Sequence, residues 1–102
     1  MSSNMNLKSM EEAATDVSEM LKLLSNRNRL LILCQLIDGE KSVGELARAL
    51  DVSQVIVSQQ LGLLKNTRMV ENRREAQTIF YSIINKDVAK LVSFLYKTFC
   101  PR

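Results

Sequence analysis

The stretch Ser53–Leu64, SQVIVSQQLGLL, decides the fold. Ser53 is a natural N-cap, and Val57, Leu61 and Leu64 recur behind it at i, i+4 and i+7, the spacing of one buried helical stripe. The same geometry gathers Val55, Ser58, Gln59 and Gly62, flanked by Gln54, into a short uncharged polar surface on the other side. Serine and glutamine can hydrogen-bond base edges in a DNA major groove, and valine can touch a thymine methyl. The face suits a recognition helix; an ordinary amphipathic helix is the plainer reading of these twelve residues alone.

The residues just upstream separate the two readings. Ser42-Val43-Gly44-Glu45 fits the S-x-x-E capping box, and Val43, Leu46, Ala47 and Leu50 form the apolar face of a short helix. Asp51-Val52 leaves only a tight connection before Ser53. Two short helices so joined, the second with a polar exterior, make a helix-turn-helix.

Outward from this pair the chain continues the pattern. From Ser9 to Leu24, Met10, Ala13, Ala14, Val17, Met20, Leu21 and Leu24 keep helical spacing, with Glu11, Glu12, Asp16 and Glu19 toward the helix start. Residues 1–8, polar and rich in serine and asparagine, are expected to fray as a flexible N-terminus, leaving 9–102 as one domain. Ser25-Asn26 breaks the first helix and caps a second, Arg27–Ile37, whose LLILCQLI is nearly all apolar and reads as the central core helix. Asp38-Gly39 should end it. Beyond Asn66-Thr67-Arg68 the period changes: Met69–Arg74 and Thr78–Ile84 read as strands, with Arg73-Arg74-Glu75-Ala76-Gln77 as a basic hairpin tip. Asn85 caps a last helix, Lys86–Phe99, whose stripe of Val88, Leu91, Val92, Leu95, Tyr96 and Phe99 is wide enough to face the core on one side and a partner subunit on the other. The expected fold is mainly α with a β-hairpin wing, in the order α-α-α-α-β-β-α, a winged helix-turn-helix.

Composition narrows the chemistry. A chain of 102 residues, 46% hydrophobic and 25% charged, suits one soluble core. Its net charge of +3 leans toward an anionic partner. With no histidine in the chain, histidine general bases, serine-histidine triads and histidine-bearing metal sites are excluded. No basic segment followed by an apolar run opens the sequence, and no stretch nears the roughly 18 apolar residues of a membrane span, so a cytoplasmic protein without a membrane partner is expected. Cys34 and Cys100 form neither a CxxC nor a zinc-finger spacing. Taken alone, Cys34 in LLILCQLI reads as a small buried core residue and Cys100 as a terminal thiol.

The element order, together with LLSNRNRLLIL at 23–33, SVGELARALDVSQVIVSQQLGLLK at 42–65 and EAQTIFYSI at 75–83, resembles the ArsR/SmtB family of bacterial regulators over about Val17 to Cys100. The resemblance implies a homodimer built on the first and last helices, placing Met10, Val17, Leu21, Leu91, Leu95 and Phe99 at or near the interface. It implies double-stranded operator DNA with an inverted repeat, half-sites about one helical turn apart. Gln54, Val55, Ser58 and Gln59 would then face bases, and Ser42, Ser53, Lys65 and Arg68 phosphates. Arg73 and Arg74, with Gln77 beside them on the wing, would reach the backbone or minor groove; a solvated charged turn is the plainer reading of those arginines.

Many members of the family sense metals through a Cys-x-Cys pair on the third helix. The matching run here, Glu40–Leu46, has serine and glycine there; of a second zinc site on the last helix Asp87 remains but no histidine does. No metal and no other cofactor is expected. The wording SVGEL and QTIFY, with both cysteines, resembles a subgroup whose matched thiols react with persulfides or oxidants, forming a disulfide or polysulfide that weakens DNA binding. That implies Cys34 and Cys100 as redox sensors, at least one accessible with a lowered pKa, helped by Lys97 and Arg102. Other members of the subgroup activate virulence genes by displacing a nucleoid silencing protein, so such competition is implied too. An interaction module that kept the dimer but lost DNA binding is an alternative of another class. A thiol enzyme is the least suited, lacking a histidine base, a CxxC and any recognisable pocket, so no enzymatic activity is expected. Two departures stand out: Gln60 where the family commonly has histidine, and Arg68 where it commonly has glycine, at a cost of about 1 kcal/mol if the backbone there is left-handed.

Overall fold

The structure, a computed structural model, describes residues 6–100. Its elements run α1 (Leu7–Leu24), α2 (Arg27–Leu36), β1 (Lys41–Ser42), α3 (Val43–Leu50), α4 (Gln54–Asn66), β2 (Val70–Glu75), β3 (Thr78–Ile83) and α5 (Lys86–Phe99). Each helix begins at a short polar side chain that accepts backbone N–H groups of the first turn: Asn6, Asn26, Ser42, Ser53 and Asn85. Asn6 accepts from the amides of Lys8 and Ser9, which starts α1 at Leu7 rather than at Ser9. The expected fraying of residues 1–5 lies outside the described residues.

Helix α2 sits at the centre, packed on α1, α3, α4, α5 and β3. Its Ile32, Leu33 and Leu36 meet Leu46 and Ala47 of α3, Val57, Leu61 and Leu64 of α4, Val70 of β2 and Val88 and Val92 of α5 in one apolar cluster. Each fully buried aliphatic side chain there contributes about 1.5–3 kcal/mol. Among the described residues no polar or charged side chain is buried, so the core carries no uncompensated desolvation. Gly39 closes the end of α2 at φ +139°, a conformation that a side chain would strain, with its N–H on the Leu36 carbonyl at 3.1 Å.

The sheet has the order β1-β3-β2, antiparallel throughout. Strand β1 went unread in the sequence because two residues carry no period. Lys41 pairs with Tyr81 and Ser42 with Phe80, so the residue that caps α3 also stands in register in the sheet. The hairpin register runs from Val70↔Ile83 to Glu75↔Thr78. This corrects the expected tip: Arg73, Arg74 and Glu75 belong to β2, and the turn is Ala76-Gln77 alone, with Ala76 at φ +56°.

Candidate nucleic-acid interface

Helix α4 buries Val57, Leu61 and Leu64 completely and leaves Gln54, Val55, Ser58 and Gln59 exposed, Val55 at 66%. The polar face read from the sequence is therefore presented outward by a rigid element. An open groove of about 390 Å³ runs beside it, lined by Ser42, Val43 and Gly44 at the start of α3, by Gln54 and Ser58, and by Gln77, Thr78 and Ile79 of the wing. Four expected contact residues, Ser42, Gln54, Ser58 and Gln77, thus share one concave surface. Lys65, in the last turn of α4, and Arg68, just past its end, are exposed outside that groove.

Ser42 and Ser53 have structural work as well. Ser42 Oγ accepts the Glu45 amide at 3.1 Å while Glu45 Oε1 accepts the Ser42 amide at 2.8 Å, and Ser53 Oγ accepts the Ile56 amide at 3.1 Å. A hydroxyl that accepts one N–H can still donate its own hydrogen to a phosphate. The Glu45 carboxyl is held below the usual carboxylate range, chiefly by the Ser42 amide.

The two wing arginines differ, against the expectation that both reach out. Arg73 is exposed but tied to neighbouring side chains: its Nε donates to both Glu40 carboxylate oxygens at 3.1 and 2.9 Å, its Nη2 also pairs with Glu40, and its Nη1 donates to Glu75 at 3.0 Å. Its guanidinium carbon lies 4.7 Å from the centre of the Phe80 ring. The Arg73 hydrogen bond holds the Glu40 carboxyl below the ordinary range, and the two carboxylates push the guanidinium up. Arg74 makes one local hydrogen bond, Nε to the Ala76 carbonyl at 3.1 Å, and is exposed.

Two features of the site carried no signal in the sequence. Glu40 precedes a two-residue strand and entered the sequence reading only as the first residue of the run Glu40–Leu46. Gln60, noted only as a family departure, accepts from Arg29 Nη1 at 3.0 Å, across a separation no local pattern reports.

The expected partner face is unevenly exposed. Met10, Val17, Leu21 and Phe99 lie outward, Leu21 at 50% and Phe99 at 73%. Leu91 and Leu95 are half-buried, Leu91 against the core. Phe94, absent from the stripe read in the sequence, is 59% exposed.

Cys34 is half-buried and Cys100 exposed at the C-cap of α5, both as free thiols. Burial pushes the Cys34 thiol up, and the nearby Cys100 adds to the rise, so of the two thiols Cys34 is not one with a lowered pKa. A cavity of about 340 Å³ between the end of α2 and α5 borders Cys34, Asp38, Tyr96 and Lys97. Arg102 lies outside the described residues. Among the described residues no group of three or more histidine, cysteine or acidic side chains is placed to hold a metal, and no helix is long and apolar enough to cross a membrane.

A buried helical core centred on α2, an outward polar helix and an antiparallel hairpin beside it define the class of winged helix-turn-helix regulators. A family model described as bacterial regulatory protein, arsR family, matches residues 26–72. The biofilm growth-associated repressor of Agrobacterium fabrum is 46% identical over 94 residues, which span 92% of this chain and 80% of that protein. The transcriptional activator HlyU of Vibrio cholerae is 41% identical over 96 residues, 94% of this chain and 89% of that one. The structure of reduced HlyU superimposes with a TM-score of 0.86 at 38% identity, covering 92% of this chain and 99% of its own. The transcriptional repressor BigR of Xylella fastidiosa superimposes with a TM-score of 0.89 at 42% identity over 96% of this chain and all of that one. The chain belongs to the arsR family of bacterial regulatory proteins, and it is a DNA-binding transcriptional regulator rather than an enzyme.

Proposed function

We propose that the protein works in the cytoplasm as a homodimer on an inverted-repeat operator and that Cys34 and Cys100 switch its DNA affinity in response to reactive sulfur species or oxidants. The observation that carries the reading is a half-buried Cys34 with the exposed Cys100 near enough for its charge to add to the rise that burial gives the Cys34 thiol. Gln54, Val55, Ser58 and Gln59 meet base edges, and Ser42, Ser53, Lys65, Arg68, Arg74 and Gln77 meet the backbone. Met10, Val17, Leu21, Leu91, Leu95 and Phe99 belong to the dimer contact, whose two-fold axis sets the half-site spacing. Residues 9–102 act as one domain.

With a low-molecular-weight persulfide RSSH, the accessible Cys100 thiolate attacks the outer sulfur and releases RSH, leaving Cys100 as a persulfide. The Cys34 thiol, giving up its proton, then attacks the Cys100 sulfur and expels sulfide. The two protein thiols lose two electrons together, and the transferred sulfur gains them. The bridge ties the end of α5 to α2, against which α3 and α4 pack, so it acts on the helices that carry the DNA surface.

The similarity to a named activator and to named repressors makes the sign of regulation a separate question. An HlyU-like anti-silencer, competing with a nucleoid protein while its cysteines stay structural, is the second reading. Anisotropy of the protein on its own upstream promoter DNA, reduced and after persulfide treatment, with intact mass spectrometry, separates the two. Lost affinity with a two-hydrogen loss joining Cys34 and Cys100 supports the switch. Strong binding unchanged by treatment rejects it.

A further inference from the structure

We infer that Arg73 is a positioning residue, not a DNA contact: it clamps the wing to the segment entering α3, leaving Arg74 and Gln77 as the wing's contacts. The inference rests on reading α4 and the wing as the DNA-facing surface. In the order β1-β3-β2, Glu40 stands immediately before one outer strand and Arg73 lies on the other. The Arg73 side chain crosses the middle strand over Phe80, its register partner, to reach Glu40 on the far side. Phe80 in turn pairs with Ser42, which caps α3. One guanidinium therefore joins both edges of the sheet at the point where the sheet runs into the helix-turn-helix.

Charge supports the same assignment. Glu40, Arg73 and Glu75 together are net negative, so the cluster gives no attraction to a phosphate and would repel one without Arg73. Exposed ion pairs are usually weak, but a guanidinium forked onto one carboxylate, bonded to a second and stacked on a ring loses more when pulled away than a lone pair does. Arg74, the next residue, points to the opposite face of β2 and has only the Ala76 carbonyl to give up.

The test is promoter-DNA anisotropy of the full-length protein over a salt series, with thermal melts of each variant. Glu40→Ala and Arg73→Ala should each weaken binding about fivefold, and the double variant no further. The swap Glu40→Arg with Arg73→Glu should recover most of the affinity. Glu40→Ala should leave the salt slope as it is, whereas Arg74→Ala should lower it by about one. Unchanged or tighter binding by Glu40→Ala, or a swap as weak as Arg73→Glu alone, overturns the inference and makes Arg73 a phosphate contact. If Glu40→Ala melts early, the swap, which keeps the pair, decides. Wild-type protein that binds no promoter DNA at any salt rejects the DNA-facing reading itself, and the inference with it.

Discussion

Arg29 donates from Nη1 to Gln60 Oε1 at 3.0 Å while its Nε donates to the Leu23 carbonyl at 2.8 Å. One half-buried guanidinium thus fastens the recognition helix α4 to the end of α1 through α2. Hydrogen bonds from charged groups contribute about 1.5–3 kcal/mol, and stranding a partner adds its desolvation. Arg29→Ala should therefore lower stability by about 2–3 kcal/mol, and Gln60→Ala, which keeps the Leu23 bond, by about 1 kcal/mol. Urea unfolding at fixed protein concentration measures both; equal small effects would mean the link is incidental.

The turn after α4 holds Arg68 at φ +64°, its N–H on the Lys65 carbonyl at 3.0 Å. The family's usual glycine would sit there without the clash between Cβ and backbone. Arg68→Gly should stabilise the fold by up to about 1 kcal/mol, raising the melting temperature by roughly 4–8 °C. Since Arg68 is also a proposed phosphate contact, the same variant should bind DNA less tightly even though it melts later.

Leu21 on α1 and Phe99 on α5 expose large apolar surfaces that a two-fold partner would cover. A charge placed at Leu21 occurs twice in a symmetric dimer, and at about 1.5 kcal/mol or more for each copy Leu21→Glu should weaken association at least about a hundredfold. Sedimentation velocity on the variant should show a monomer with the circular dichroism of the parent. A dimer as tight as the parent's would move the interface elsewhere.

The two thiols should be modified in a fixed order. Exposed Cys100 should be alkylated first by iodoacetamide and half-buried Cys34 later, with the Cys34 rate climbing as pH rises beyond the ordinary thiol value of 9.0. The raised Cys34 pKa means that the folded chain holds this proton more tightly than the unfolded chain. Its effect is absent at neutral pH, and stability falls as pH rises through and above the usual thiol range. Peptide mapping against time gives the order, and urea melts of Cys34→Ser beside the parent give the pH effect; a Cys34 that reacts first contradicts both.

Much of this was legible because helices announce themselves locally. Ser42 with Glu45, and Ser53 with Val57, Leu61 and Leu64, state a cap and a buried stripe within a few residues, and the structure keeps both. The hairpin strands were readable in TIFYSII for the same reason, β-branched and aromatic residues in a row. The tip was misplaced because Ala76 carries none of the glycine or asparagine signal that a positive φ usually leaves.

The sequence by itself determined the helix caps, the apolar stripes, the polar face of α4 and the absence of histidine chemistry, since each depends on residue type and short spacing. Only the tertiary structure decided which exposed charges are free and which are spoken for. Arg73 and Arg74 are neighbours of one type, yet alternation along β2 sends one onto Glu40, distant in the chain, and leaves the other to solvent. Cys34 and Cys100 likewise acquire their difference from packing: burial between α2 and α5 raises one thiol and leaves the other exposed at a helix end. Contacts between residues far apart in sequence leave no local pattern, because they come from how the elements close on one another.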